Sequence, residues 1–199
     1  MAEVRCVAGL PPAAIRLLEG AGESSLFLQP RWLEAMGRAY PRLRPAHLIL
    51  EESGEVTGVV PLLEKRVWGL TEVVSNPFGS CGGPVLSTAA SRGGLRALLE
   101  AFHRRARRRG VFRFEMTLCR PAPMLREELT AVLGAHARPG STWIIDLQGG
   151  EEAVWNGYEG RARTAARRAR EFGVSVAPEA GEEALAALHA LHRAQGRGR

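Results

Sequence analysis

The hydrophobic period changes several times along this chain, and each change limits what it can fold into. Between Pro30 and Tyr40 the large side chains Trp32, Met36 and Tyr40 recur at helical spacing, and Pro41 follows them. From His47 the pattern becomes strand-like. His47-Leu48-Ile49-Leu50-Glu51-Glu52 reads as a strand, Ser53-Gly54-Glu55 as a turn, and Val56 to Leu63 as the returning strand. Pro61 within that return suits a bulge or an edge, because proline cannot donate to a ladder. Residues 64–74 extend the strand or pair with a further one, 76–84 form a loop rich in Gly and Pro, and Val85-Leu86 is a brief strand. Helical periodicity returns from Ala90 to Arg109. Leu95, Leu98, Leu99, Phe102 and Ala106 share one face, and Gly110 is placed to end it.

The alternation continues. Val111 to Met116 reads as a strand, Met124 to Leu133 as a helix, and Thr142 to Leu147 as a strand. Glu151 to Phe172 is helical with a break near Gly160, Val174-Ser175-Val176 is a new strand, and Glu182 to His192 is a last helix. A short helix over 11–20, opened by Pro11 and Pro12 and followed by Gly20, precedes all of this. The expected fold class is mixed α/β, a sheet flanked by helices.

Composition narrows the function classes. Hydrophobic residues are 45% of 199, enough for a packed core, and no apolar run approaches membrane-span length. The N-terminus lacks a basic region followed by a hydrophobic core, so it does not read as a secretory signal. Cys6, Cys81 and Cys119 are odd in number and widely spaced. They read as free thiols in a reducing cytoplasm, and they lack metal-ligand spacing. The net charge is +6 and Lys65 is the one lysine, so the basic character is arginine, whose fork grips phosphates and carboxylates.

That character concentrates in Arg161-Ala-Arg-Thr-Ala-Ala-Arg-Arg-Ala-Arg170, followed by Gly173-Val174. On a helix, Ala162, Ala165, Ala166 and Ala169 fall on one stripe with Phe172, which allows close approach to a sheet or helix. Arg163, Arg167 and Arg170 line one flank of the stripe, and Arg161 and Arg168 the other. Three arginines at i, i+4 and i+7 can converge on one anion. The plainer reading is a solvated face partnered by Glu159 and Glu171.

This segment resembles the basic stretch of FemAB-type transferases, within the GNAT superfamily, in its Arg161-x-Arg163-x-x-Ala166-Arg167-Arg168-Ala169 pattern ending in Gly173-Val174. Ala166 stands where that pattern has a larger aliphatic residue. The resemblance extends to the strand Thr142–Leu147, the link through Trp155, and Phe27-Leu-Gln-Pro-Arg-Trp32. It also takes in Gly58-Val-Val-Pro61 and the loop from Asn76 to Pro84. It implies a GNAT-like domain over 1–148 and the beginning of a second over 149–199, where only a basic helix, a strand and a helix are present. It implies transfer of an acyl or aminoacyl group to an amine on an anionic, cell-envelope precursor, as in peptidoglycan assembly. The donor would be acyl-CoA or aminoacyl-tRNA, with no permanently bound cofactor. It places substrate phosphates at Arg163 and, beside it, Arg161 and Arg167. Such chemistry works by positioning and by oxyanion stabilisation from backbone N–H groups, so the catalytic residues are not assigned.

Other readings follow from the same residues. The arginines would equally serve a non-catalytic module docking a phosphorylated ligand or partner, or an RNA-binding domain, with tRNA among the partners. An unfinished sheet would expose an edge and invite a homodimer. Arg193-Ala-Gln-Gly196-Arg-Gly198 fits a pyrophosphate-loop pattern but follows a helix where a strand is needed. Arg104 to Arg109 suits the macrodipole at a helix C-terminus. Cys81 lacks an evident base, His189 and His192 lack a third metal ligand, and Glu115 and Asp146 are strand-end carboxylates without an assigned role.

Overall fold

The computed structural model describes residues 2–20, 26–77, 81–118, 122–134, 145–178 and 181–196. The chain divides into two units, residues 1–139 and 140–199.

The first unit is mixed α/β. Its strands are β1 (Ala2–Val7), β2 (Leu43–Pro45), β3 (His47–Glu52), β4 (Glu55–Val60), β5 (Leu63–Val67), β6 (Leu70–Val74), β7 (Val85–Leu86) and β8 (Val111–Glu115). Its helices are α1 (Pro12–Gly20), α2 (Pro30–Ala39), α3 (Arg92–Ala106) and α4 (Pro123–Leu133), with a 3-10 turn at Leu26–Leu28. The strands form two four-stranded sheets, ordered β1-β3-β4-β7 and β2-β5-β6-β8. Pairing is antiparallel except between β6 and β8, which are parallel and joined through α3.

Pro61 divides the two sheets. Pro45 faces Leu63 in one sheet and Leu48 faces Val60 in the other, so a single register runs through and sets His47 opposite Pro61. Proline has no N–H to give the ladder at that point. Just beyond it, the Leu62 N–H donates to His47 Nδ1 at 3.2 Å, and the Ala46 N–H donates to the Leu62 carbonyl at 2.9 Å. β2–β3 and β4–β5 are therefore one long hairpin, interrupted where the proline falls. The returning strand expected over Val56 to Leu63 stops at Val60 for this reason, and Leu63 opens the next strand.

Both faces of the sheets are covered. Leu48, Leu50, Val60, Leu62 and Val73 meet Leu95, Leu98, Leu99 and Phe102 of α3 and Leu125, Leu129 and Leu133 of α4. The alternate residues Ile49 and Val59 meet Ala14 and Leu18 of α1 and Leu33 of α2. Each large apolar side chain so buried contributes about 1.5–3 kcal/mol. Double-sided burial explains why His47 to Leu50 is a continuous buried run rather than an alternating one.

α3 is fixed at its start by Ser91. Its Oγ accepts from the Gly94 N–H at 2.9 Å, while its own N–H donates to Glu52 at 3.1 Å, and Thr57 Oγ1 donates to the same carboxylate at 2.7 Å. A Cβ at Gly94 would lie 2.6 Å from the Glu52 carboxyl group, so a larger residue there would push that side chain off Ser91. At the other end the helix stops at Ala106 with Arg107 as its cap, short of the Arg109 expected, and Gly110, at φ +89°, serves the following turn, in which the Val111 N–H donates to the Arg108 carbonyl.

The second unit contains α5 (Gly150–Gly157), α6 (Gly160–Glu171) and α7 (Glu182–Gly196). None of its described residues is buried. Two expected strands are corrected. Val174 to Val176 is not a strand, because the chain there closes α6. Gly173, at φ +74°, donates to the Arg170 carbonyl, and Val174 donates to the Ala169 carbonyl. That is a Schellman cap, so the Gly-Val pair marks a helix stop. Ile145 to Leu147 is likewise not in a strand, and 141–144 lie outside the described residues. The alanine stripe of α6 is not packed on a sheet either: Ala162 and Ala165 are exposed and Phe172 is 84% exposed.

Candidate anion-binding site

The arginines of α6 are organised by α5. The two helices are joined through Tyr158 and Glu159, both extended, so Trp155 on the last turn of α5 lies against α6. Arg167 and Arg170 place their guanidinium carbons 5.9 and 6.0 Å from the Trp155 ring centroid, within cation–π range. Tyr158 meets the same ring edge-on at 6.5 Å. Arg163 Nη1 donates to the Asn156 carbonyl at 2.9 Å, satisfying one of the carbonyls a helix end leaves unpaired. Ala166 and Ala169, half-buried, are the small residues that let the helices approach.

Arg163, Arg167 and Arg170 therefore gather on the Trp155 side of α6. Among the described residues none of the three has a carboxylate within ion-pair distance. Their charge is held by a ring face and a carbonyl dipole, and the remaining N–H donors stay open to solvent. Arg161 is not part of this group: its Nε donates to Glu159 at 2.9 Å on the exposed surface. Arg168 is exposed on the opposite flank. Of the residues expected to bind substrate, the structure thus brings Arg163 and Arg167 together and leaves Arg161 apart. Arg170 and Trp155 complete the cluster. The sequence signal for the ring was its place one turn before the break between two helices.

Other sequence candidates fall elsewhere. The reading of three free thiols is corrected: Cys81 is held in a disulfide, while Cys6 is free and exposed. Cys81 is therefore no nucleophile in this state, and the thiol argument for a reducing compartment no longer stands. The Cys81 carbonyl also accepts from Asn76 Nδ2 at 3.0 Å, and Trp32 Nε1 donates to Asn76 Oδ1 at 3.1 Å, which ties the glycine-rich loop to α2. Glu115 accepts from Arg113 at 2.6 Å, and Asp146 accepts from the Gln148 N–H at 2.9 Å, both structural partners. Arg193 to Gly196 is helical and 197–199 lie outside the described residues. His136 and Cys119 also lie outside them. No helix of the described residues is long and apolar enough to cross a membrane.

Neither a protein-family model nor a curated protein matches the chain. Among solved structures, it is similar to TTHA1254 from Thermus thermophilus at 22% identity and a TM-score of 0.42, covering 74% of this chain and 99% of that one. It is also similar to a ribosomal-protein-alanine N-acetyltransferase from Brucella melitensis biovar Abortus 2308, at 17% identity and a TM-score of 0.39, covering 73% and 99%. Likeness of this degree assigns neither a family nor an activity.

Proposed function

We propose that Arg163, Arg167 and Arg170 bind the phosphates of an anionic substrate, and that the chain belongs to an N-acyltransferase or aminoacyltransferase of the FemAB/GNAT type. The observation that supports this is two guanidinium groups at Trp155 and a third on the adjacent Asn156 carbonyl, none with a carboxylate partner among the described residues. An arginine fork meets phosphate oxygens bidentately, and two or three forks on one helix flank match a diphosphate. Trp155 offers an apolar face beside that charge, suited to a sugar or a base attached to the phosphates.

In the proposed reaction the acceptor's amine attacks the carbonyl carbon of an acyl-CoA thioester or an aminoacyl-tRNA ester. A new amide bond forms, the thioester or ester bond breaks, and the amine proton leaves with the thiol or ribose hydroxyl. The arginines would hold the acceptor, a nucleotide-linked or lipid-linked envelope precursor, and would take no proton.

A second reading, a binding module without chemistry, has its own support: among the described residues the cluster is made of cations and aromatic rings, with no acid–base pair. Mass-spectrometric detection of transfer from acetyl-CoA, or from an aminoacyl-tRNA, to an amine-bearing nucleotide-sugar precursor separates the two. Transfer abolished by Arg163→Ala/Arg167→Ala is the expected result. Precursor binding with no transfer from either donor would leave the module reading in its place.

A further inference from the structure

The turn between β5 and β6 carries a tryptophan where a two-residue hairpin favours asparagine, aspartate or glycine. Trp68 has φ +49° and Gly69 φ +82°, positive at both central positions. The β3–β4 turn has the same backbone, with Ser53 at φ +53° and Gly54 at +85°. A small polar residue suits that conformation, whereas a bulky one is strained in it. Trp68 gains no packing in return, because it is 99% exposed. Leu70 beside it is 46% exposed and Phe112 is 53% exposed.

Topology sets this tip against the most basic turn of the first unit. Thr71 pairs with Val111, and the Thr71 N–H donates to the Gly110 carbonyl at 2.7 Å. Arg107, Arg108 and Arg109, all exposed, immediately precede Gly110, and exposed Arg66 pairs with Thr71 across the hairpin. Neighbouring arginines are neutralised: Arg104 by Glu100, Arg105 by Glu64, and Arg113 by Glu72 and Glu115. Arg66, Arg107, Arg108 and Arg109 have no such partner among the described residues.

We propose that the β5–β6 tip and the α3–β8 turn form one docking surface for an anionic lipid bilayer, with Trp68, Leu70 and Phe112 entering the headgroup region and Arg66 and Arg107–Arg109 meeting lipid phosphates. Tryptophan is favoured at membrane interfaces, and stable peripheral binding combines an apolar anchor with a basic patch. Charge complementarity names the partner. A strained aromatic at a convex tip, flanked by an aliphatic residue, fits a headgroup layer better than single-stranded nucleic acid, whose binding surfaces are grooves with several stacking rings. The proposal concerns the first unit and does not rest on the α6 site.

Co-sedimentation of the full chain with phosphatidylcholine vesicles, with and without about 30% phosphatidylglycerol, tests it. Binding to the anionic vesicles alone, weakening with salt, is expected. Trp68→Asn places a residue suited to the turn, so its thermal midpoint should hold while partitioning falls about tenfold or more. Arg107→Gln/Arg108→Gln/Arg109→Gln should weaken partitioning roughly 100-fold, at about fivefold per arginine. The proposal is overturned if wild-type protein ignores anionic vesicles, if either variant partitions like wild type, or if an RNA oligonucleotide binds where vesicles do not.

Discussion

Arg92 and Arg96 on α3, and Arg163 and Arg167 on α6, are both arginine pairs four residues apart on a helix, yet the two pairs are held differently. Arg92 Nε donates to Glu128 Oε1 at 2.5 Å and Arg96 Nε donates to Oε2 at 2.7 Å, so both close on one carboxylate of α4. Glu128 is buried to 0% exposure among Leu125, Leu129 and Leu133. Arg163 and Arg167 close on a carbonyl and a ring face instead. An arginine pair that completes a buried carboxylate is committed to the fold, whereas one that meets only dipoles and a quadrupole keeps its charge available to a ligand.

The comparison breaks most readily at Glu128. Hydrogen bonds from Arg96 and then Arg92 hold its carboxyl below the ordinary carboxylate range. Its contribution to stability is therefore present above about pH 4.5 and is lost as pH falls through the lowered folded value. Glu128→Gln is expected to cause the largest loss of stability among these substitutions, read as a lower urea midpoint; an unchanged midpoint would dissolve the distinction. His47 sharpens the same point with a different group. Burial lowers its pKa from 6.5 to about 4, so stability is full above pH 6.5 and is lost as pH falls toward 4. The loss between pH 7 and 4.5 is about 2.5 kcal/mol, and denaturation of a His47→Gln variant should lack that slope. Arg105, 11% exposed on Glu64, should cost about 1–2 kcal/mol as Arg105→Ala. Arg113, 57% exposed, should cost less than about 1 kcal/mol despite two carboxylate partners. Arg163→Ala and Arg167→Ala should each shift stability by no more than about 0.5 kcal/mol.

Much of the first unit was legible in the sequence, because α2, α3, α4 and the β3–β4 hairpin carry their period and their stops in local residues. β1 and β2 were not. Ala2-Glu3-Val4-Arg5-Cys6 alternates as a strand does, but so short a run at a terminus becomes a strand only through its pairing with β3, and Leu43–Pro45 is three residues long. The division at Pro61 was half legible: proline announced a break in the ladder, but which sheet each half joins is a tertiary choice. In the second unit the reading of Val174 to Val176 as a strand took β-branched residues at face value, where the Schellman cap of α6 uses them as its exit. The arginine flank could be drawn from helical spacing alone. That Arg161 would turn to Glu159, and that Trp155 would lie under Arg167 and Arg170, depended on the angle between two short helices. The basic turn of the first unit shows the same limit, since Arg107–Arg109 are brought to the β5–β6 end of the sheet only through the pairing of β6 with β8.

The most direct test of the α6 site is ligand-induced thermal stabilisation of the chain beside Arg163→Ala/Arg167→Ala, with a nucleotide-linked sugar precursor, acetyl-CoA and tRNA as ligands. The precursor is expected to raise the wild-type midpoint, while the variant melts at about the same temperature without ligand and binds about 100-fold more weakly. An equal shift in wild type and variant, or no shift with any ligand from a folded chain, would contradict that.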